Sequence, residues 1–543
     1  VAAALVVLLV FGYGRRVREE SMLRRGAAYY VGSTLILALA AGLSVAGMRG
    51  GMTRATRPIT LSDAMLYTSQ SSKANLLLSN PFCILRTVGS AGKVSYRKYF
   101  PAEELDAHFT PVHAPADSTA VCLAGRNVMI FILESMSAEH SAHLRPDLYA
   151  DLPEKGFTPF LDSLMRHGLC FRQMYANGTR SIQAMPSVLG SIPSFRTPFV
   201  LMPQSLGRSR QLPAILADRG YGTLFFCGSE HGSMGFGAYA RSAGVERLIS
   251  REDYEAAHGT GDFDGYWGIW DEPFLQYAGE VLDSVPEPFF ATLFTLSAHH
   301  PFVVPDAYAA TLPAGYTKIH RGVAYDDEAF RRFFARYGGE AWFRRTIFVF
   351  VADHVSSEKF APETRTYPGN MHILGFLYTP DGALQGEIGE VTQQLDIMPT
   401  LLGLLGCDEA YFAFGRDVLN EPARPRWSVS YDGGFRALTG DTVLTFDDNG
   451  SQITPRTDRA AMPPAVSGAV PAAKASGGTM VAPERTGEPS TAPTSGAPAE
   501  KRPSAPGASP IVRSAEELLG DFQALVQQYY MHIEKKNYTT HDD

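Results

Sequence analysis

The chain has 543 residues, with 48 Lys and Arg against 56 Asp and Glu and a formal net charge of −8. Hydrophobic residues make up 45% and charged residues 19%, so a sizeable core is possible and a wholly disordered chain is excluded. The net acidity argues against a nucleic-acid binder, and five scattered cysteines without CxxC spacing argue against a zinc ribbon or a disulfide scaffold.

The first 48 residues have the composition of membrane spans. Val1–Tyr13 carries no charge and resembles the end of a longer apolar segment, and Ala27–Met48 is an uncharged run long enough to cross a bilayer. A buried core helix is the alternative for the second run. The Arg-rich stretch 15–25 between them is expected to face the cytoplasm, which delivers the chain after Met48 to the extracytoplasmic side.

Residues 49–125 are interpreted as a connector, and residues 126–450 as an α/β domain. The α/β prediction rests on apolar runs that alternate with helical patterns, as is typical of buried parallel strands. The runs are NVMIFIL (127–133), YGTLFFC (221–227), FFATLFTL (289–296) and TIFVFV (346–351). We therefore predict a mostly parallel sheet flanked by helices.

Two segments follow that domain. Residues 451–510 are rich in Pro, Ala, Ser, Gly and Thr and contain no aromatic residue, which predicts a disordered linker. Residues 511–543 predict an amphipathic helix, with a capping box formed by Ser514 and Glu517. Its apolar stripe is expected to dock on the α/β domain or on the membrane surface.

Polar residues follow each of the four predicted strands. They are Glu134, the run Ser229 to His231, the pair His299 and His300, and the pair Asp353 and His354. Ligands of open α/β sheets bind beyond the carboxyl ends of the strands, so these residues are candidates for one shared site.

Glu134, Asp353 and His354 offer two carboxylates and an imidazole, which suit a divalent ion such as Mn²⁺, Mg²⁺ or Zn²⁺. For an Asp-His pair taken alone, a solvated loop Asp and a hydrogen-bonded His are the simpler interpretation. A carboxylate at the end of a buried strand nevertheless needs a partner, which favours the metal hypothesis for Glu134.

A nucleophile is expected in the segment that follows Asn177 and Gly178, a turn signal before a helical run. Thr179 would lie in the positive field of the helix start, which favours both an alkoxide and a phosphate. An ordinary helix cap is the alternative role for Thr179, and Ser181 competes with it as the nucleophile.

Seven stretches, in this order, resemble the lipoteichoic acid synthase-like branch of the alkaline phosphatase/sulfatase superfamily, the membrane-anchored phosphoglycerol transferases. They are NVMIFILESMS (127–137), NGTRS (177–181), GSMGF (232–236), DFDGYWGIWDEPFL (262–275), FTLSAHHPF (294–302), FVFVADH (348–354) and QLDIMPTLLGLLG (394–406).

The resemblance implies a set of roles for the matching residues. Glu134, Asp353, His354 and Thr179 would bind one metal ion, Mn²⁺ or Mg²⁺ in this branch, and Thr179 would also be the nucleophile. His299 would contact the phosphate or protonate a leaving oxygen, and His231 would contribute to substrate binding. His300, Trp267 and His372 are not assigned a role.

The implied activity is transfer of phosphoglycerol from phosphatidylglycerol to an envelope glycan or lipid acceptor, through a covalent threonine intermediate. The enzyme would be anchored in the cytoplasmic membrane with its catalytic domain outside. Phosphoethanolamine transfer, or hydrolysis by a phosphodiesterase or sulfatase-like enzyme, would use the same site. Cys170 is followed by Phe171, Arg172 and Gln173, which is not the CxPxR-type motif of sulfatases. A catalytically inactive envelope scaffold is the remaining alternative.

Overall fold

The computed structural model describes residues 26–49, 60–68, 71–87, 94–115, 119, 121–456 and 513–540. The chain divides into two units, Val1–Ile59 and Thr60–Asp543. In the first unit the described residues form one helix, Ala27–Arg49, of which Ala27–Gly47 is long and apolar enough to cross a membrane. The apolar run predicted at 1–13 and the Arg-rich stretch 15–25 lie outside the described residues.

An eight-stranded sheet forms the centre of the second unit. In chain order its strands are β1 (Asn127–Leu133), β2 (Leu169–Tyr175), β3 (Gly222–Cys227), β4 (Arg247–Ile249), β5 (Phe289–Phe294), β6 (Thr346–Ala352), β7 (Gly375–Tyr378) and β8 (Gly386–Gln393). Their spatial order is β8-β2-β7-β6-β1-β5-β3-β4. Only β7 runs antiparallel to its neighbours, so the predicted mostly parallel sheet is confirmed.

The central strands contain the apolar runs identified in the sequence. Every residue of β1, β5 and β6 is buried. A strand buried on both faces needs apolar side chains in both directions, which explains why these strands are continuous apolar runs rather than alternating ones. The core of the domain therefore lies on both faces of the sheet.

Helices surround the sheet and extend on either side of it in the chain. The α-helices of the second unit are Ser71–Leu77, Asn80–Thr87, Ala102–His108, Pro146–Tyr149, Pro159–His167, Ser181–Gly190, Leu212–Asp218, Phe236–Ala243, Arg251–His258, Asp271–Leu282, Asp306–Ala309, Ile319–Tyr337, Ala341–Arg344, Ile397–Leu404 and Ala515–Lys535. Short 3₁₀ turns lie between several of them, including Ala138–His140 and Gln394–Asp396. Three short α-helices thus lie in the described part of the predicted connector.

A second, antiparallel sheet follows the eight-stranded one. It consists of β9 (Ser428–Tyr431), β10 (Phe435–Leu438), β11 (Thr442–Phe446) and β12 (Ser451–Pro455), paired in that order. The linker predicted at 451–510 is therefore wrong at its start, because residues 451–455 pair with β11. Its polar composition gave no sign of this, since all five residues of this edge strand are exposed. Residues 457–510 of that linker lie outside the described residues.

The helix predicted near the end of the chain is present as Ala515–Lys535, here called the C-terminal helix, and its Ser514–Glu517 capping box is formed. Its apolar stripe is buried against the domain. Phe522 is fully buried, with its ring 5.0 Å from that of Phe446 and 5.8 Å from that of Trp427. The C-terminal helix, which some 60 residues separate from the antiparallel sheet in the chain, thus completes the core of the domain.

Replacing Phe522 with Ala should lower the free energy of unfolding by about 3–5 kcal/mol, because it leaves a cavity between the C-terminal helix and the β11 sheet. Urea denaturation followed by tryptophan fluorescence measures this change. The control is Glu516→Gln on the exposed side of the same helix, where the change should stay within about 0.5 kcal/mol. Equal stability of both variants would contradict the docking of this helix.

Candidate active site

The candidate site begins where two neighbouring parallel strands end. Strands β1 and β6 pair in register from Asn127 and Thr346 to Leu133 and Ala352. Glu134 follows the first strand and Asp353 the second, and the amide of Asp353 still donates to the carbonyl of Leu133 at 3.0 Å. The register of the sheet therefore places the two carboxylates side by side, and His354 follows directly.

The three side chains converge as the sequence predicted. Their ligand atoms all lie within 4.8 Å of one another. His354 Nε2 lies 3.2 Å from Asp353 Oδ2 and 3.7 Å from Glu134 Oε1. His354 Nδ1 lies 2.9 Å from the carbonyl oxygen of Val355, which can only accept, so Nδ1 carries the proton and Nε2 presents a lone pair to the two carboxylates.

The electrostatics of this cluster require a positive charge. Glu134 and Asp353 are each 1% exposed. Burial, together with the charge of Glu134, raises the pKa of Asp353 to about 7. Burial works to lower the pKa of His354, but Asp353 and Glu134 outweigh it, and the net shift is upward.

The donor set fits a divalent cation. Asp353 Oδ2 is buried and has no hydrogen-bond donor in good geometry among the described residues, so one of its lone pairs is available for a metal. Two carboxylate oxygens and an imidazole nitrogen are ligands that Mn²⁺, Mg²⁺ and Zn²⁺ accept. Among the described residues, these three form the group with metal-binding geometry.

The hydroxyl that contacts both Glu134 and His354 belongs to Ser181, not to Thr179. Ser181 Oγ lies 3.2 Å from Glu134 Oε2 and 3.2 Å from His354 Nε2, and the residue is 7% exposed. Thr179 is exposed, and its amide donates to the Gln183 side chain at 3.0 Å. The interpretation of Thr179 as metal ligand and nucleophile is therefore wrong in this structure, and its competitor Ser181 takes the position.

The physical reason lies in where the helix begins. Arg180 is the N-cap, with extended φ and ψ of −142° and 143°, and the helix Ser181–Gly190, here called the site helix, starts one residue later. The turn before it is held by Asn177, whose side chain donates to Gln393 Oε1 and to the carbonyl of Val429, each at 2.8 Å. Thr179 lies in the bend between this anchor and the helix, where its side chain faces solvent.

Two further residues orient the candidate ligands, and neither was among the residues predicted from the sequence. Ser135 donates from its amide to Asp353 Oδ1 and from its hydroxyl to Glu134 Oε1, each at 2.8 Å. It has a φ of +56°, a left-handed conformation that is unusual outside glycine. Gln394 donates to the carbonyls of Ala352 and Asp353, each at 2.7 Å, and accepts from the amide of Asn177. The position of Ser135 directly after a strand could have identified it, but Gln394 lies far from Glu134 and Ser181 in the chain.

The predicted substrate histidines lie at the same edge of the sheet. His299 follows β5, the other neighbour of β1, and its Nδ1 lies 2.8 Å from the carbonyl of His300. The ring of Trp267 packs edge-on against His299 at 4.4 Å. His231 follows β3, one strand further out, and is exposed, and no hydrogen bond or ion pair joins its side chain to the cluster among the described residues.

Trp267 and His372, to which the sequence assigned no role, make hydrogen bonds to backbone carbonyls. The indole of Trp267 donates to the carbonyl of His300 at 2.9 Å, which fixes the loop that carries His299. His372 is buried, with Nε2 3.1 Å from the carbonyl of Arg172, and is not part of the metal cluster.

The profile of the family described as Sulfatase matches residues 126–407, just over half of the chain. The chain belongs to the sulfatase family. Strands β1 to β8 and the three metal-ligand candidates lie within the matched residues, so the family match covers the sheet and the site together.

Curated relatives of this sulfatase-family chain bear out the resemblance seen in its motifs. Lipoteichoic acid synthase-like YvgJ of Bacillus subtilis is 23% identical over 403 residues, which cover 69% of this chain and 63% of YvgJ. Lipoteichoic acid synthase 2 of the same species is 24% identical over 233 residues, which cover 40% of this chain and 35% of that protein. The chain thus spans less than two thirds of the length of these relatives.

Solved structures confirm the predicted sulfatase-like α/β fold. A protein in the alkaline phosphatase superfamily from Vibrio parahaemolyticus has a TM-score of 0.60 at 20% identity, covering 86% of this chain and 98% of that one. The lipoteichoic acid synthase LtaP from Listeria monocytogenes has a TM-score of 0.55 at 20% identity, covering 66% of this chain and 93% of LtaP.

Replacing Asp353 with Asn should weaken Mn²⁺ binding by more than about tenfold, because the amide offers a neutral oxygen where the cluster needs a charge. Isothermal titration calorimetry on the purified chain measures this affinity. The matched control is Asp408→Asn, an exposed carboxylate paired with Arg219, which should leave the affinity unchanged. Unaltered Mn²⁺ affinity in the Asp353 variant would contradict the assignment of the metal site.

Proposed function

We propose that this protein is a membrane-anchored, metal-dependent transferase that moves phosphoglycerol from phosphatidylglycerol to an envelope glycan or lipid acceptor. One observation carries the proposal, namely that the Ser181 hydroxyl lies 3.2 Å from both Glu134 and His354 of the candidate metal cluster. A nucleophile against a divalent-cation site is the arrangement that phosphoryl transfer needs. The relatives named lipoteichoic acid synthases support this choice of substrate class.

In the first step Ser181 Oγ attacks the phosphorus of phosphatidylglycerol. The bond between Ser181 Oγ and phosphorus forms, and the bond between phosphorus and the diacylglycerol oxygen breaks. The serine proton is released to solvent, and His299 supplies the proton that the diacylglycerol oxygen takes up. The phosphoglycerol group remains attached to Ser181.

In the second step a hydroxyl of the acceptor attacks the same phosphorus. Its oxygen forms the new ester bond and gives its proton to His299, which restores the proton lost in the first step. The bond from phosphorus to Ser181 Oγ breaks, and the serine takes a proton from solvent. Ser181 is the first residue of the site helix, and the N-terminal end of a helix favours an anionic phosphate there. Glu134, Asp353 and His354 would hold a divalent cation, which would supply positive charge to stabilise the serine and phosphate oxygens.

The helix Ala27–Arg49 supports a membrane anchor. Its apolar window has a mean hydropathy of 1.7, and none of it is buried within the protein. A lipid donor and an anchored enzyme meet at the same surface, which raises the local concentration of the donor. We propose the cytoplasmic membrane as the location, with the catalytic domain on its extracytoplasmic side.

The principal alternatives keep the site and change the substrate. Phosphoethanolamine transfer, or hydrolysis of a phosphodiester, would use the same serine and metal. Sulfate-ester hydrolysis is disfavoured, because the cysteine nearest to a sulfatase motif, Cys170, is fully buried within β2 and burial raises its pKa to about 12. An inactive scaffold is disfavoured by the presence of all three ligand candidates and a hydroxyl.

Replacing Ser181 with Ala should reduce phosphodiester turnover by more than about 10³-fold, since among the described residues Ser181 supplies the hydroxyl that contacts both Glu134 and His354. Thr179→Ala is the matched control, two residues away and exposed, and should retain turnover near that of the unaltered chain. Release of labelled diacylglycerol from phosphatidylglycerol vesicles measures both. A loss confined to the Thr179 variant would reverse the assignment.

Incubation with phosphatidylglycerol should give a peptide that contains Ser181 and carries the mass of one phosphoglycerol group. Parallel incubation with phosphatidylethanolamine should give no adduct, because the proposed donor is phosphatidylglycerol. Mass spectrometry of the digested chain detects the adduct, and Ser181→Ala should abolish it. An adduct formed from phosphatidylethanolamine alone would replace the proposed activity with phosphoethanolamine transfer.

A further inference from the structure

Behind the candidate site lies a pair of buried aspartates that the proposed chemistry does not use. Asp271 is the first residue of the helix Asp271–Leu282, and Asp326 lies in the helix Ile319–Tyr337. Asp271 is 2% exposed and Asp326 is fully buried. Burial and the neighbouring charge of Asp271 raise the pKa of Asp326, as expected for two carboxyl groups that lie next to each other.

Asp271 holds the chain segment that carries His299. Its carboxylate accepts the amide of Leu296 at 2.9 Å and the amide of Ser297 at 2.6 Å. In return, the amide of Asp271 donates to Ser297 Oγ at 2.9 Å. The amide of His299 then donates to the carbonyl of Leu296 at 3.0 Å, so the turn that presents His299 begins at the residues bound to Asp271.

The same segment is joined to the metal cluster. Thr295, which immediately precedes it, accepts the amide of Glu134 on its hydroxyl at 2.9 Å. On the opposite side, Gly322 of the helix Ile319–Tyr337 lies against Ala298, and a Cβ built at Gly322 would come within 3.3 Å of the Ala298 Cα. The turn is therefore clamped between Glu134 and that helix, and Asp271 is its charged anchor.

Asp326 has the opposite hydrogen-bonding pattern. Neither of its carboxyl oxygens accepts a hydrogen bond from the described residues. A buried carboxylate without donors is unfavourable, and two adjacent carboxylates repel each other, so one of the pair must carry a proton. Asp271 accepts two amides and is satisfied as the anion, which leaves the proton on Asp326.

We propose that Asp271 is a positioning residue that places His299 at the reacting phosphate, and that Asp326 serves as its proton-bearing donor. The pair carries one negative charge, located on Asp271, and Asp326 donates to it. The inference rests on the role given to His299 in the proposed function. It concerns how the histidine is held rather than which head group is transferred.

The two carboxyl groups allow a matched test, because the same change has opposite consequences at each position. Asp326→Asn keeps a donor for Asp271 and should retain kcat/KM within about threefold. Asp271→Asn removes the anion that accepts the Leu296 and Ser297 amides, and should lower kcat/KM by about tenfold or more, since misplacing a positioned group is costly. Both are measured on the full chain with bis(p-nitrophenyl) phosphate.

A double-mutant cycle tests whether Asp271 affects turnover through His299. If Asp271 acts through His299, then Asp271→Asn in a His299→Ala background should cost less than about twofold. Mn²⁺ affinity should be unchanged in Asp271→Asn, which a general loss of structure would not allow. Ser297→Ala removes only the hydrogen bond from the Asp271 amide to the Ser297 hydroxyl. It should give a smaller loss of kcat/KM that depends on His299 in the same way. This variant allows the double-mutant cycle to be completed if Asp271→Asn fails to fold.

Equal losses in the Asn variants at 271 and 326, or independent and multiplicative effects of Asp271 and His299, would overturn the positioning role. The chromogenic substrate has no lipid head group, so failure on phosphatidylglycerol alone would refute the proposed function and leave this inference standing. An unaltered chain without any phosphodiester turnover would overturn both.

Discussion

The repulsion between two buried carboxylates is the constraint on which the site depends. The register of β1 and β6 places Glu134 beside Asp353, where each is almost completely shielded from water. Such a pair is unfavourable unless a proton or a cation joins it. A divalent cation would meet that need, with the imidazole nitrogen of His354 as a further ligand. The pairing of β1 with β6 thus places two carboxylates where binding of a divalent cation would be favourable.

The surrounding polar residues form a network that crosses the sheet edge. Ser135 contacts both carboxylates, Gln394 links the strand end of Asp353 to the turn at Asn177, and Thr295 links Glu134 to the turn of His299. Hydrogen bonds of this kind restrict ligand orientation and support the metal site from outside. The network also connects Ser181, the proposed nucleophile, and His299, the proposed substrate histidine, although they come from different parts of the chain.

Strand-level features could be predicted because buried parallel strands are apolar throughout and polar residues mark their ends. The convergence of Glu134, Asp353 and His354 followed from that rule. The choice between Thr179 and Ser181 did not, because it depends on a one-residue difference in where the site helix begins, and both residues suit a helix start. Strand β12 was missed because its exposed residues have the composition of a linker. The Asp271–Asp326 pair depends on long-range packing between helices that no local pattern records.

The C-terminal helix has a consequence for how the molecule is made. It closes the hydrophobic interior with Phe522 and Tyr529, and the strand Asn537–Tyr538 after it pairs with Arg208–Ser209 in the body of the domain. Until this segment has been synthesised, the aromatic side chains that it covers stay exposed to water. The domain therefore closes only after a segment far along the chain from its partners is available, and intermediates that lack this segment expose apolar surface that favours aggregation.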